Sequence, residues 1–125
     1  MNLPKFLIGK VLSVDNVELT KYGPRLICYM HILKTNFKDF EYTSTAVRVV
    51  IWRDERIHQF EKSFLHSKTL LMITFNQNRI DQDQYGNPIQ VVKADSINRV
   101  TDFEFQQYYC TNAQGQFDPF SRLIS

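Results

Sequence analysis

One helical stripe interrupts a chain that otherwise reads as β. Ile57, Phe60, Phe64 and Leu65 recur at i, i+3, i+7 and i+8, the spacing that gathers apolar side chains on one helix face, and Asp54 stands where a cap belongs. On both sides of this stripe the apolar residues alternate singly or run together. Ser44 to Trp52 is the clearest case, with Val47, Val49 and Ile51 on one face and Ala46, Arg48, Val50 and Trp52 on the other. The rest of the architecture has to be built around that single insertion.

The remaining runs supply four more strands. Lys5 to Val14 is β-rich and carries Gly9 in its middle, which predicts a bulge or a close backbone approach. After a short Val17–Leu19 run, Tyr22-Gly23-Pro24 supplies a turn. Arg25 to Leu33 is the second long strand, with Cys28, Met30 and Ile32 facing one way and Tyr29, His31 and Leu33 the other. Lys34 to Thr43 is polar and aromatic and reads as a hairpin loop. Thr69 to Asn76 is almost continuously apolar, as a strand buried on both sides would be, and Asp81 to Pro88 is a hairpin loop. Ile89 to Val100 is the last strand, with a bulge expected near Asp95-Ser96. The order is strand, strand, strand, helix, strand, strand, with no internal repeat. That order predicts an all-β chain with an OB-fold: a five-stranded Greek-key barrel, partly open, with one helix between strands 3 and 4. A rival SH3-like barrel would not place an amphipathic helix there.

Composition fits one such domain. With 125 residues, 43% of them apolar, the chain can fill a single core. It has no apolar run near the roughly 20 residues of a membrane span, and only Phe6-Leu7-Ile8 precedes Gly9 at its start, so no membrane partner and a cytoplasmic, nucleoid-associated location are expected. Cys28 and Cys110 are solitary, and His31, His58 and His66 complete no zinc signature, so neither metal nor other cofactor is expected. His58 and His66 lie eight apart, no glycine-rich phosphate loop or nucleophile elbow occurs, and Asp81 and Asp83 lack the further acids of a calcium site. These two acids are expected to shape a turn, and no enzyme chemistry is expected. The net charge is only +2, but it is unevenly spread: eight basic against four acidic residues up to Arg53, and three against six from Asp81 onward. A positively charged face in the first half of the chain follows.

From Lys5 to about Phe103 the chain resembles the bacterial single-stranded DNA-binding protein (SSB) family. Phe6-Leu7-Ile8-Gly9-Lys10-Val11 looks like that family's opening strand, Ala46-Val47-Arg48-Val49-Val50-Ile51-Trp52 is similar to its central strand, and Asp83-Gln84-Tyr85-Gly86 resembles the hairpin before its last strand. The departures are as definite. Ala46 stands where the family commonly has a stacking aromatic, Ile80-Asp81 where it has another, and Ser67-Lys68 replaces a usual Lys-Gly. The resemblance implies single-stranded DNA binding, in replication, recombination or repair, by a homo-oligomer (dimer or tetramer).

Such binding needs flat π-faces for bases and cations for phosphates. Arg48 and Trp52 lie four apart on one strand and point to the same side, which Tyr29 and His31 share if Cys28, Met30 and Ile32 fill the barrel. On the adjoining loop Phe37, Phe40 and Tyr42 alternate with Lys34 and Lys38. Lys10, Lys21 and Arg25 could add phosphate contacts. Each has a structural alternative: Trp52 under the helix or in a subunit interface, Arg48 paired with an acid such as Glu41, Phe37 and Phe40 clamping the loop onto the barrel, Tyr29 and His31 as plain surface residues.

The sequence divides into a single-strand-binding-like domain at 1–103 and an aromatic C-terminal extension at 104–125. Phe105, Tyr108, Tyr109, Phe117 and Phe120, with Phe103 just before them, make it a segment expected to pack on its own barrel or a neighbouring subunit. Asp118-Pro119-Phe120 echoes the tip with which SSB tails recruit replication and repair proteins, although the acidic run is absent. Two alternatives stay open. One is a protein-interaction adaptor resembling the primosomal PriB-type OB-folds, with weak or no nucleic-acid binding. The other is RNA as the ligand, since stacking does not distinguish the sugars.

Overall fold

In the computed structural model, which describes residues 5–37 and 46–109, the apolar runs become β1 (Lys5–Val14), β3 (Gly23–Thr35), β4 (Ala46–Trp52) and β5 (Leu70–Phe75). A short β2 (Glu18–Thr20) pairs with the start of β3, and α1 (Asp54–Ser63) joins β4 to β5. The chain then forms β6 (Asn78–Gln82), β7 (Pro88–Lys93) and β8 (Ser96–Val100). Hydrogen bonding orders one sheet as β6-β7-β4-β3-β1-β5-β8, all antiparallel except β4 with β7.

The expected last strand is thus two strands, and the break is what curls the sheet. β7 belongs to one end of the order and β8 to the other, with only Ala94 and Asp95 between them. The Ala94 N–H donates to the Val50 carbonyl on β4 at 2.9 Å, and the next N–H, of Asp95, to the Thr74 carbonyl on β5 at 2.7 Å. Consecutive amides therefore serve two strands that lie three places apart in the sheet, and a partly open five-stranded barrel results, with β2 and β6 as additions to it.

Gly9 meets its expectation directly. A Cβ there would fall 2.1 Å from the His31 carbonyl oxygen, so β1 and β3 can approach only because this residue is glycine. The register shifts beside it, leaving Leu33 as the extra residue opposite Ile8 and Gly9.

The barrel interior is filled by alternate residues of each strand. Leu7, Cys28, Met30, Val47, Val49, Ile51, Leu71, Ile73, Phe75, Val92 and Ile97 are fully enclosed. The helix closes over this core with Ile57 and Phe60, and Phe64 stacks on Phe60 at 5.4 Å. Two expectations about the helix need correction. Leu65 is 60% exposed and takes no part in the stripe. The cap is Arg53 rather than Asp54: Arg53 adopts φ 76°, ψ 146°, gives its N–H to the Pro24 carbonyl, and makes no side-chain cap bond. Asp54 and Glu55 instead occupy the first turn, where carboxylates suit the helix dipole.

A second apolar cluster lies on the outside of β1, β5 and β8. Ile8, Leu33, Leu70 and Val100 form it, with Phe6 and Met72 at its margin. The chain covers it as soon as β8 ends. The Thr101 hydroxyl accepts the Glu104 N–H while the Glu104 carboxylate accepts the Thr101 N–H, a reciprocal box that starts a three-residue α2 (Asp102–Glu104). One π-helical turn, Phe105–Tyr109, follows. Phe105 is buried in the cluster and Tyr109 sets its ring edge-on to Phe6 at 5.8 Å, whereas Phe103 and Tyr108 face solvent. This much of the aromatic extension packs on its own barrel.

Candidate nucleic-acid interface

The outer face of β3, β4 and β7 is built differently. Register sets Arg25 opposite Trp52, Ile27 opposite Val50 and Tyr29 opposite Arg48, then Arg48 beside Val91 and Val50 beside Lys93. Beyond β7 comes β6, a strand that sequence reading passes over because Asn-Arg-Ile-Asp-Gln holds a single apolar residue, Ile80. It is the edge of the sheet, and edges carry polar residues on both sides. It brings Arg79 opposite Val91 and Asp81 opposite Ile89. Together these strands line a groove of about 580 Å³, floored by Ile27, Val50 and Val91 and flanked by Arg25, Arg48, Arg79 and Lys93, with Asp81 the one carboxylate among its lining residues.

The aromatic and cationic groups of this groove are held together. Arg48, whose side chain is 17% exposed, lays its guanidinium 5.6 Å from the centre of the Tyr29 ring and donates from Nε to the Tyr29 hydroxyl at 3.2 Å. Arg25 lies 5.7 Å from the Trp52 ring, pairs with Glu18, and keeps a buried Nε that has no acceptor among the described residues. Asp81 Oδ2 stands 3.5 Å from both Arg48 Nη1 and Arg79 Nη2. The Gln82 N–H, and then the charges of Arg79 and Arg48, hold the Asp81 carboxyl below the ordinary carboxylate range. Asp81 is thus an arginine partner in the groove. Asp83 does the turn work expected of both acids: its Oδ1 accepts the N–H groups of Tyr85 and Asn87, on either side of Gly86 at φ 82°.

Of the residues singled out from sequence, the structure brings Tyr29, Arg48 and Trp52 together, with Arg25 beside them. His31 continues the row of β3 past Tyr29, opposite Lys10 and Ala46. Lys34 lies further along, opposite Ile8, and Lys21 sits over Tyr22 in the β2–β3 turn. Phe37 stands apart from the groove. It packs edge-on against Phe75 at 6.0 Å at the end of the barrel core, with the Lys5 ammonium 4.8 Å over its ring, so it clamps the loop onto the barrel. Lys38, Phe40, Tyr42 and Glu41 lie outside the described residues. Arg79 and Lys93 were not foreseen. The pairing of β4 with β7 delivers Lys93, and the signal for it was the fold order itself, once strands three and five are set side by side.

Among the described residues that line the groove none is a serine, threonine or cysteine. Cys28 is enclosed, and burial pushes its thiol up to about 12. Among the described residues no three His, Cys, Asp or Glu side chains gather as a metal site would require.

No family model matches the chain, and no curated protein matches it in sequence. Its shape does have relatives among solved structures. The small single-stranded DNA-binding protein of Streptomyces coelicolor aligns with 80% of this chain and 94% of its own, at TM-score 0.53 and 11% identity. The mitochondrial single-stranded DNA-binding protein Rim1 of S. cerevisiae aligns with 81% of this chain and 98% of its own, at TM-score 0.50 and 12% identity. The chain has an SSB-like OB-fold. At such identities the likeness is one of backbone, and it spans both relatives almost end to end. The OB-fold explains why β7 and β8 are one passage of chain: it is the strand that closes such a barrel, shared between β4 and β5.

Proposed function

We propose that this protein binds single-stranded DNA along the outer face of β3, β4, β6 and β7, without catalysis, in the service of replication, recombination or repair. The observation that carries this reading is the groove in which Arg25, Arg48, Arg79 and Lys93 surround Trp52 over an apolar floor. Cations there meet phosphates, and Trp52 offers a ring to a base. Two structural relatives described as single-stranded DNA-binding proteins support the same use of the fold.

The test is a titration with short oligo-dT, reading Trp52 fluorescence and the anisotropy of a labelled oligonucleotide together. Trp52 is the sole tryptophan, so its quenching reports the groove. Four phosphate contacts would give a slope of log K on log salt of about −3, a weakening of about 50-fold between 50 and 200 mM salt. Saturable binding of that kind is the expected result. Oligo-rU in parallel distinguishes RNA, and silence of both probes with both nucleic acids moves the reading to a protein partner.

A further inference from the structure

Two arginines from different strands converge on a single oxygen. Arg48 on β4 and Arg79 on β6 both lie 3.5 Å from Asp81 Oδ2, while Asp81 Oδ1 is taken by the Gln82 N–H at 2.8 Å. Like charges do not gather on one point without an anion between them. The Asp81 carboxylate is 45% exposed and Arg79 is 68% exposed, so the pairs are the weak, solvent-screened kind that a better anion can displace. A phosphodiester is such an anion, with one full charge and two free oxygens that engage two guanidiniums at once. Arg48 cannot simply swing elsewhere, because its Nε is tied to the Tyr29 hydroxyl at 3.2 Å and its guanidinium carbon lies 5.6 Å from the centre of the Tyr29 ring.

Building on the reading of the groove given above, we propose that Arg48 and Arg79 form a seat for one backbone phosphate, and that Asp81 occupies this seat in the free protein and yields it to the nucleic acid. Asp81 thereby sets the affinity. It keeps the two arginines gathered when no ligand is present, and its charge opposes every phosphate that arrives. The side chain competes with the ligand for the same two donors.

The experiment compares wild type, Asp81→Asn, Asp81→Ala and Asp81→Glu in the full chain, by oligo-dT anisotropy across salt. The neutral variants should bind about 3- to 10-fold tighter at low salt, with a slope steeper by about 0.7, one more counterion released. Asp81→Glu, which keeps the charge, should stay near wild type. Adding Arg79→Ala to Asp81→Asn should abolish the gain. Equal or weaker binding by both neutral variants would overturn the seat while leaving single-strand binding intact. If wild type ignores the oligonucleotide, the functional reading falls, and the seat is judged on inorganic phosphate instead. Shifts of the Arg48 and Arg79 Nε–Hε signals of Asp81→Asn on phosphate addition would uphold it, and their absence would dismiss it.

Discussion

The barrel has two outer faces of opposite character, and the same chain passage, 88–100, contributes to both. Outside β1, β5 and β8 the residues are Phe6, Ile8, Leu70, Met72 and Val100, and the chain lays Phe105 and Tyr109 over them within nine residues of the end of β8. Outside β3, β4 and β7 the floor is just as apolar, with Ile27, Val50 and Val91, yet it is fringed by Arg25, Arg48, Arg79 and Lys93 and left open. An apolar face costs free energy in water unless something covers it. One face is covered from within the chain. The charges around the other are those that the proposed single-stranded ligand would meet.

The comparison predicts a clean division: changes under the cover should cost stability, and changes in the groove should cost binding. The largest effect belongs to the barrel beneath both faces. Gly9→Ala drives a methyl into the His31 carbonyl, and thermal or denaturant unfolding should show a loss on the order of 4 kcal/mol or more, through the backbone shift this forces. Next, Phe105→Ala should cost about 3–5 kcal/mol in denaturant midpoints while leaving oligonucleotide affinity unchanged. A matching loss of binding would break the division. Trp52→Ala is its mirror image, with an expected loss of about 1–3 kcal/mol in oligo-dT affinity and a much smaller change in stability. Arg53→Gly should gain about 1 kcal/mol of stability, because φ 76°, ψ 146° is a conformation that only glycine adopts without strain.

The smallest effect concerns Asp81 and pH. Its carboxyl titrates lower in the folded chain than the ordinary 3.8, so the folded state binds that proton less readily than the unfolded one. The stabilising contribution is therefore complete above the ordinary value and disappears as pH falls through the folded one. The stability difference between wild type and Asp81→Asn should stay flat at neutral pH and change only in acid. A difference that moved near pH 7 would assign it to another group.

How much of this was legible depended on whether a residue's fate was set locally. The alternation of Val47, Val49 and Ile51 is a property of β4 alone, and it named the Arg48–Trp52 face correctly. Gly9 announces a close approach, and Thr101-Asp102-Phe103-Glu104 carries a helix-start signal that precedes Phe105 directly. Asp54 looked like a cap on local grounds, but the Arg53 N–H is bound by Pro24, some thirty residues away in the chain, and that bond sets where the helix begins. β6 was invisible because an edge strand needs no apolar pattern. Arg79 and Lys93 reach the groove only through strand pairing, β6 with β7 and β7 with β4. Half of the groove was therefore readable from β3 and β4, and the other half became readable only with the topology in hand.

The Ala94–Asp95 junction also dictates an order of events. A chain made from its N-terminus has β1, β3, β4 and β5 in existence before the residues that join β4 to β5 across the gap. Until residues 88–100 have been added, Val50 and Thr74 offer carbonyls along two bare strand margins, each able to accept a strand from another molecule. The last-made passage acts as a zip fastener: β7 shuts the margin of β4, β8 then shuts that of β5, and any delay ahead of residue 88 exposes both together.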